Sequence, residues 1–266
     1  MSMKKNTFLI ILTCITVACI IIGSGAHLGF NTRPIRRAGR TFSRVFRLGI
    51  DAFENDDYGS GDFEIDFDDD IEETDGKFSH TESKELNKFD SIRIEGNVMA
   101  VTIGQGKGYS ATVWYSSRKL VPSYEISGGR LTIHQPYYSR KLTTNGKCRV
   151  DITVPAGVEL DSVTLNVDVG AVEIKDVAIK DAEIKTDVGA VSVEEVDFEE
   201  LSINTDVGAV MVELNNPVSE YNIDVKSDVG EVVVDGKKAK RHKYRGDGTT
   251  RKRIKINADV GGIEIK

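Results

Sequence analysis

The sequence predicts an all-β protein: a β-solenoid, stacked like a parallel β-helix in rungs of 19–22 residues, behind an N-terminal membrane-spanning helix. Three observations carry that expectation. Asp-Val-Gly recurs in VDVGAVEI (167–174), TDVGAVSV (186–193), TDVGAVMV (205–212), SDVGEVVV (227–234) and ADVGGIEI (258–265). β-Branched residues alternate with polar ones on both sides of every copy. Near the start of the chain lies a long uncharged apolar run, and the charges beyond it are sharply segregated.

The charges divide the 266 residues. Residues 1–50 hold no Asp or Glu, and 33–47 carry six arginines. Residues 51–76 carry thirteen acids and no Lys or Arg, whereas from 77 onward 27 basic residues face 29 acidic ones. The net charge of −7 therefore describes no single part. The expected organisation is a signal-anchor or transmembrane segment at 1–32, a basic juxtamembrane segment at 33–50, an acidic linker at 51–77 and a β-solenoid repeat domain at 78–266.

Phe8 to Ile22 suits the apolar region of a secretory signal, and with its weaker flank the run can cross a bilayer of about 30 Å. An uncleaved single-pass anchor is the reading taken. Small residues at Ser24-Gly25-Ala26 leave cleavage open, and Ile15-Thr16-Val17-Ala18-Cys19 loosely resembles a lipobox, although three isoleucines follow the cysteine. The export-like start places the repeat domain outside the cell, whereas the arginines past the span pull the other way. Ile35, Phe42, Val45 and Phe46 recur at near-helical spacing among those arginines, as in a helix lying on anionic lipid or a basic stop-transfer flank. The acids of 51–77 read as a solvated linker, since they lack the order of a calcium loop.

Aligning the copies on Asp168, Asp187, Asp206, Asp228 and Asp259 lines up the apolar columns. Five residues earlier stand Val163, Ala182, Leu201, Ile223 and Ile254, and three earlier Leu165, Ile184, Ile203, Val225 and Ile256. A Val always follows the Asp, and further apolar residues stand four and six places on. Polar residues lie between, including the column Asn166, Lys185, Asn204, Lys226 and Asn257. One apolar stripe cannot be buried by a single unit, so the rungs stack and each column becomes a ladder about 4.8 Å apart. The intervals between aspartates are 19, 19, 22 and 31. At each corner the glycine (Gly170, Gly189, Gly208, Gly230, Gly261) is expected to take a positive φ, and the Asp to accept backbone N–H bonds. The repeats are not the Gly-rich nonapeptides of calcium β-rolls, so no metal is expected there.

SIRIEGNVMAVTI (91–103), GGRLTIHQ (128–135), VDITVPAGVELDSVTL (150–165), the tandem rungs and GDGTTRKRIKINADVGGIEIK (246–266) resemble the bacterial putative-adhesin family of β-strand repeat proteins, from about Leu86 onward. The resemblance implies a β-solenoid on an envelope-associated protein, and it brings no catalytic residues.

The residues themselves disclose no reaction. His27, His80, His134 and His242 are scattered, and no phosphate loop or dinucleotide fingerprint is present. Cys14 and Cys19 lie in the apolar run, and Cys148 reads as a strand residue. The function expected is that of a non-enzymatic, membrane-anchored envelope protein presenting a binding or assembly surface, without a cofactor. Its alternatives are an enzyme acting on envelope polysaccharide and a cytoplasm-facing self-assembling scaffold. Residues 237–253, filling the 31-residue interval, carry nine basic residues. Lys237, Lys238, Lys240, Arg241, Lys243 and Arg245 are the candidate site for an anionic envelope polymer; a solvated insertion is the plainer reading. Another envelope protein is the alternative partner. With Tyr244 the only aromatic there, a nucleic acid is not expected. The insertion is also expected to fold over the last rung, unless two copies meet end to end.

Overall fold

A computed structural model of the protein describes residues 80–115, 120–136 and 148–266. The expected anchor, basic flank and acidic linker lie outside them, and among the described residues no helix is long and apolar enough to cross a membrane. The described chain is all-β. Its strands are β1 (His80–Glu85), β2 (Ser91–Gly106), β3 (Ser110–Tyr115), β4 (Ser123–Ser127), β5 (Arg130–His134), β6 (Cys148–Pro155), β7 (Glu159–Lys175) and β8 (Ala178–Glu194). They continue as β9 (Asp197–Glu213), β10 (Asn222–Val229), β11 (Val232–Val234), β12 (Lys237–Lys238), β13 (Lys243–Gly246), β14 (Arg253–Val260) and β15 (Ile263–Ile265).

The long strands β7, β8 and β9 pair in parallel, residue for residue, on both sides of Asp168, Asp187 and Asp206, while each Asp drops out of the ladder. That break divides every rung into two limbs. Stacked first limbs form one sheet, in the order β4–β5–β2–β7–β8–β9–β14–β10–β13. Stacked second limbs form another, in the order β1–β3–β6–β2–β7–β8–β9–β15–β11–β12. A second gap in the register, at Asp161 and Lys180, sets off a short third limb carrying Leu160, Ile179 and Phe198.

The columns read from the sequence turn inward: Ile184 and Ile203 are 0% exposed, as are Ile174, Val212 and Ile265 on the second limb. The valine after each Asp does not join them. Val169, Val188, Val207, Val229 and Val260 are half-buried, and the inward place at the corner belongs to Val167, Thr186, Thr205, Ser227 and Ala258. Because the unpaired Asp shifts the alternation by one, the valine moves to the outer side.

The corner glycines have a different cause from the one expected. Of the five, Gly230 and Gly261 have positive φ, at 147° and 155°, whereas Gly170, Gly189 and Gly208 do not. The rungs there touch backbone to backbone. A Cβ on Gly170 would lie 1.8 Å from the Met99 carbonyl oxygen, one on Gly189 2.2 Å from that of Gly170, and one on Gly208 1.9 Å from that of Gly189. Closeness, not dihedral freedom, selects glycine. Nor do the five aspartates cap the corner: among the described residues none accepts a backbone N–H, and Asp228 pairs instead with Lys226 at 3.3 Å. The end of the second limb is left-handed instead, at Asp176 (φ 54°), Glu195 (φ 54°) and Asp235 (φ 51°).

The rungs do not stack in chain order. β14 lies between β9 and β10, with Ile254 beside Leu201 on one side and Ile223 on the other. β15 is likewise between β9 and β11. The 22-residue interval makes this possible. Three residues beyond the usual 19, at about 3.3 Å each, bridge one additional rung of about 4.8 Å. The outermost rung is therefore 222–234, and the insertion closes it: β13 pairs antiparallel with β10, and β12 with β11 through the Asp235-Gly236 turn. At the other end β4, β3 and β1 pair antiparallel over the stack.

Candidate functional site

The insertion is the candidate site, and its own strand pairing redistributes its charge. Lys237 meets Asp235 at 3.2 Å, Lys238 meets Glu231 at 2.7 Å, and Arg245 meets Asp224 at 2.6 Å. Glu231 is 6% exposed, so Lys238 compensates a carboxylate that the fold has already buried. Of these three candidate residues Lys238 alone meets a buried carboxylate; the pairs of Lys237 and Arg245 are exposed and weak. Lys240, Arg241 and Lys243 remain exposed, without a carboxylate partner among the described residues.

Arg241 and His242 both take φ near 56°, and the His242 Nδ1–H donates to the Gly230 carbonyl. That bond ties the loop to the glycine corner and aims Lys240 and Arg241 outward. Lys252 turns back on the body, pairing with Asp197 above the Tyr221 ring. Register then adds cations from outside the insertion's tip. β13 lays Lys243 beside Lys226, and β14 lays Arg253 beside Asn222 and Lys255 beside Asp224. Arg251, Arg253 and Lys255 are exposed. The resulting patch comprises Lys240, Arg241, Lys243, Arg251, Arg253 and Lys255. Lys255 belongs to a polar column visible in the sequence, but its place beside Asp224 depends on the exchange of rung order.

Beneath the cap lies an open cleft of about 270 Å³, with Val218, Tyr221 and Tyr244 among its walls and Lys237 and Asp247 at its rim. Two titratable groups elsewhere among the described residues are shifted by burial. Cys148 is 0% exposed at the start of β6, and burial pushes its thiol up to about 12, which keeps it protonated. The corner aspartates stand on successive rungs. Partial burial, helped by the neighbouring charge of Asp187, raises the pKa of Asp168. Among the described residues no group of three or more His, Cys, Asp or Glu could hold a metal ion.

Residues 89–214, from just before β2 to just after β9, match the family described as Toastrack DUF4097. The match covers just under half of the chain. The rungs of Asp228 and Asp259 continue the same stack beyond the matched segment. Among solved structures, a putative cell adhesion protein from Clostridium sporogenes is 20% identical, with a TM-score of 0.55 over 70% of this chain and 98% of that one. A putative adhesin from Bacteroides fragilis is 14% identical, with a TM-score of 0.34 over 70% and 96% of the two chains. A putative lipid binding protein from Parabacteroides distasonis is 12% identical, with a TM-score of 0.28 over 70% and 96%. No curated protein matches the chain. The first of these structures shares the fold of the solenoid body.

Proposed function

We propose that the protein is a non-enzymatic, membrane-anchored component of the cell envelope whose solenoid presents a binding surface outside the membrane. The observation that carries this reading is the outer side of the first sheet. There, stacked rungs repeat exposed polar side chains at fixed spacing on a support whose apolar columns are sealed inside. Two carboxylates on that side are tied to cations two residues away: Glu95 to Arg93 at 2.6 Å and Glu183 to Lys185 at 2.7 Å. Such pairing suits display better than acid–base catalysis, which needs carboxyl groups free to exchange a proton. The name of the Clostridium sporogenes relative, a putative cell adhesion protein, fits the same reading.

The test is protease accessibility in intact bacterial cells making the full chain. Added trypsin should digest the solenoid without lysis, and removal of residues 1–32 should release the protein from the membrane fraction. A solenoid that resists until the cells are opened would place it on the cytoplasmic side and overturn the proposal.

A further inference from the structure

We infer that the basic patch is one end of a track along the first sheet that binds a linear, carboxylate-bearing glycan parallel to the stack axis. This rests on the binding-surface reading above and names the ligand class. Register places Lys243, Lys226, Asn257, Asn204, Lys185 and Asn166 in one row across β13, β10, β14, β9, β8 and β7. Lys243, Lys185 and Asn166 are exposed and the other three are half-buried, so the row opens to solvent along its length. The adjacent row runs through Asp224, Lys255, Ser202, Glu183, Thr164 and Arg93, its two carboxylates being paired with Arg245 and Lys185.

The rungs repeat at about 4.8 Å, a spacing close to the length of one sugar unit in an extended chain. A glycan lying along the axis therefore meets one side chain of the row per unit. The residue types suit that polymer. An amide both donates and accepts, as sugar hydroxyls require, and an ammonium group compensates a carboxylate. Asn257 Nδ2 donates to Asn204 Oδ1 at 2.9 Å, which leaves the Asn204 amide hydrogens and the Asn257 carbonyl for a ligand. Lys226 and Lys185 are held by Asp228 and Glu183 in exposed pairs, and such pairs are weak enough to exchange for a ligand carboxylate. Towards β7 the row runs into a groove of about 120 Å³ lined by Thr164, Asn166, Glu183 and Lys185. Beyond it stands Glu95, whose carboxyl the Arg93 side chain holds below the usual carboxylate range, and there the track ends. The exposed corner aspartates Asp187, Asp206, Asp259 and Asp228 stand two residues beyond the row and bound the track on that side.

The experiment titrates the full chain, in detergent micelles at low salt, with polygalacturonate oligomers of graded length. Neutral dextran and polyphosphate serve as comparison polymers. Affinity should rise with length up to the six strands of the row and then level off. Asn166→Ala with Lys185→Ala should weaken long oligomers about tenfold while sparing dimers. Lys255→Ala with Arg253→Ala should weaken all lengths, and Glu194→Gln on the second sheet should change nothing. Unaltered circular dichroism checks that each variant is folded. A plateau at two or three units, or long oligomers indifferent to Asn166→Ala with Lys185→Ala, would reduce the site to the patch and overturn the track. Polyphosphate binding as tightly as polygalacturonate would overturn the glycan. Absence of polygalacturonate binding by a solenoid that trypsin still reaches from outside would remove this inference and leave the envelope reading standing.

Discussion

Replacing Gly208 by Ala tests the backbone contact that holds the rungs together. The new methyl carbon would lie 1.9 Å from the Gly189 carbonyl oxygen, against about 3.3 Å for an ordinary close carbon–oxygen contact. The two rungs must therefore part locally by roughly 1.4 Å. A backbone hydrogen bond near 2.9 Å stretched by that amount is lost. The ladder bonds beside the corner each contribute about 1 kcal/mol, and orphaned buried groups add to the loss. The expected destabilisation is about 3–5 kcal/mol, at the upper end for one methyl group. Gly157 supplies the control. Its φ is +76° and nothing lies within 4 Å of its Cβ position, so Gly157→Ala bears dihedral strain alone, about 1 kcal/mol. Urea unfolding followed by far-ultraviolet circular dichroism measures both. Equal losses at the two positions would refute the contact argument, and so would a Gly208→Ala midpoint matching the wild type.

Two other perturbations probe the core and the corner. Ile203 is 0% exposed, so Ile203→Asp buries a charge and should unfold the neighbouring rungs as well. Asn204→Asp, on the outer side, should keep the far-ultraviolet spectrum; a folded Ile203→Asp variant would show the two sides reversed. Asp168 has its folded pKa raised, first by burial and then by Asp187, so its contribution to stability is greatest below the unfolded value and declines as pH rises through the folded one. Asp168→Asn should therefore melt higher than wild type at pH 7, with the gain vanishing below about pH 4. A gain that persists at pH 3 would contradict this.

Inward columns away from the corner were legible because burial imposes apolar residues there, as at Ile184, Ile203 and Ile256, whereas the corner place also takes Thr186, Thr205 and Ser227. The cause of the corner glycines was not legible. A glycine chosen for φ and one chosen for closeness look alike in a sequence, and only the distance from Gly208 to the Gly189 carbonyl separates them. Rung order was hidden for a related reason, since Ile223 and Ile254 fit equally well beside Leu201. The 22-residue interval was the trace it left. The candidate site inherited that ambiguity. Lys238 and Arg245 look available in the sequence, but the cap pairs them with Glu231 and Asp224. Lys255 completes the patch only after β14 has slipped inside.

The inserted rung also sets the protein a kinetic problem. Residues 222–234 emerge from the ribosome before 253–265, with columns that match the free edge of β9, yet their native neighbour is a strand not yet made. Direct docking of β10 on β9 is thus a near-native competitor that must dissociate before β14 can enter, a point of frustration on an otherwise funnelled landscape. The Asn204–Asn257 bond and the Lys252–Asp197 pair are interactions that the early docking cannot make. They tilt the outcome without hastening it. Refolding should accordingly be slowest at this one seam, and the insertion that caps the rod is also the length of slack that lets the strand return.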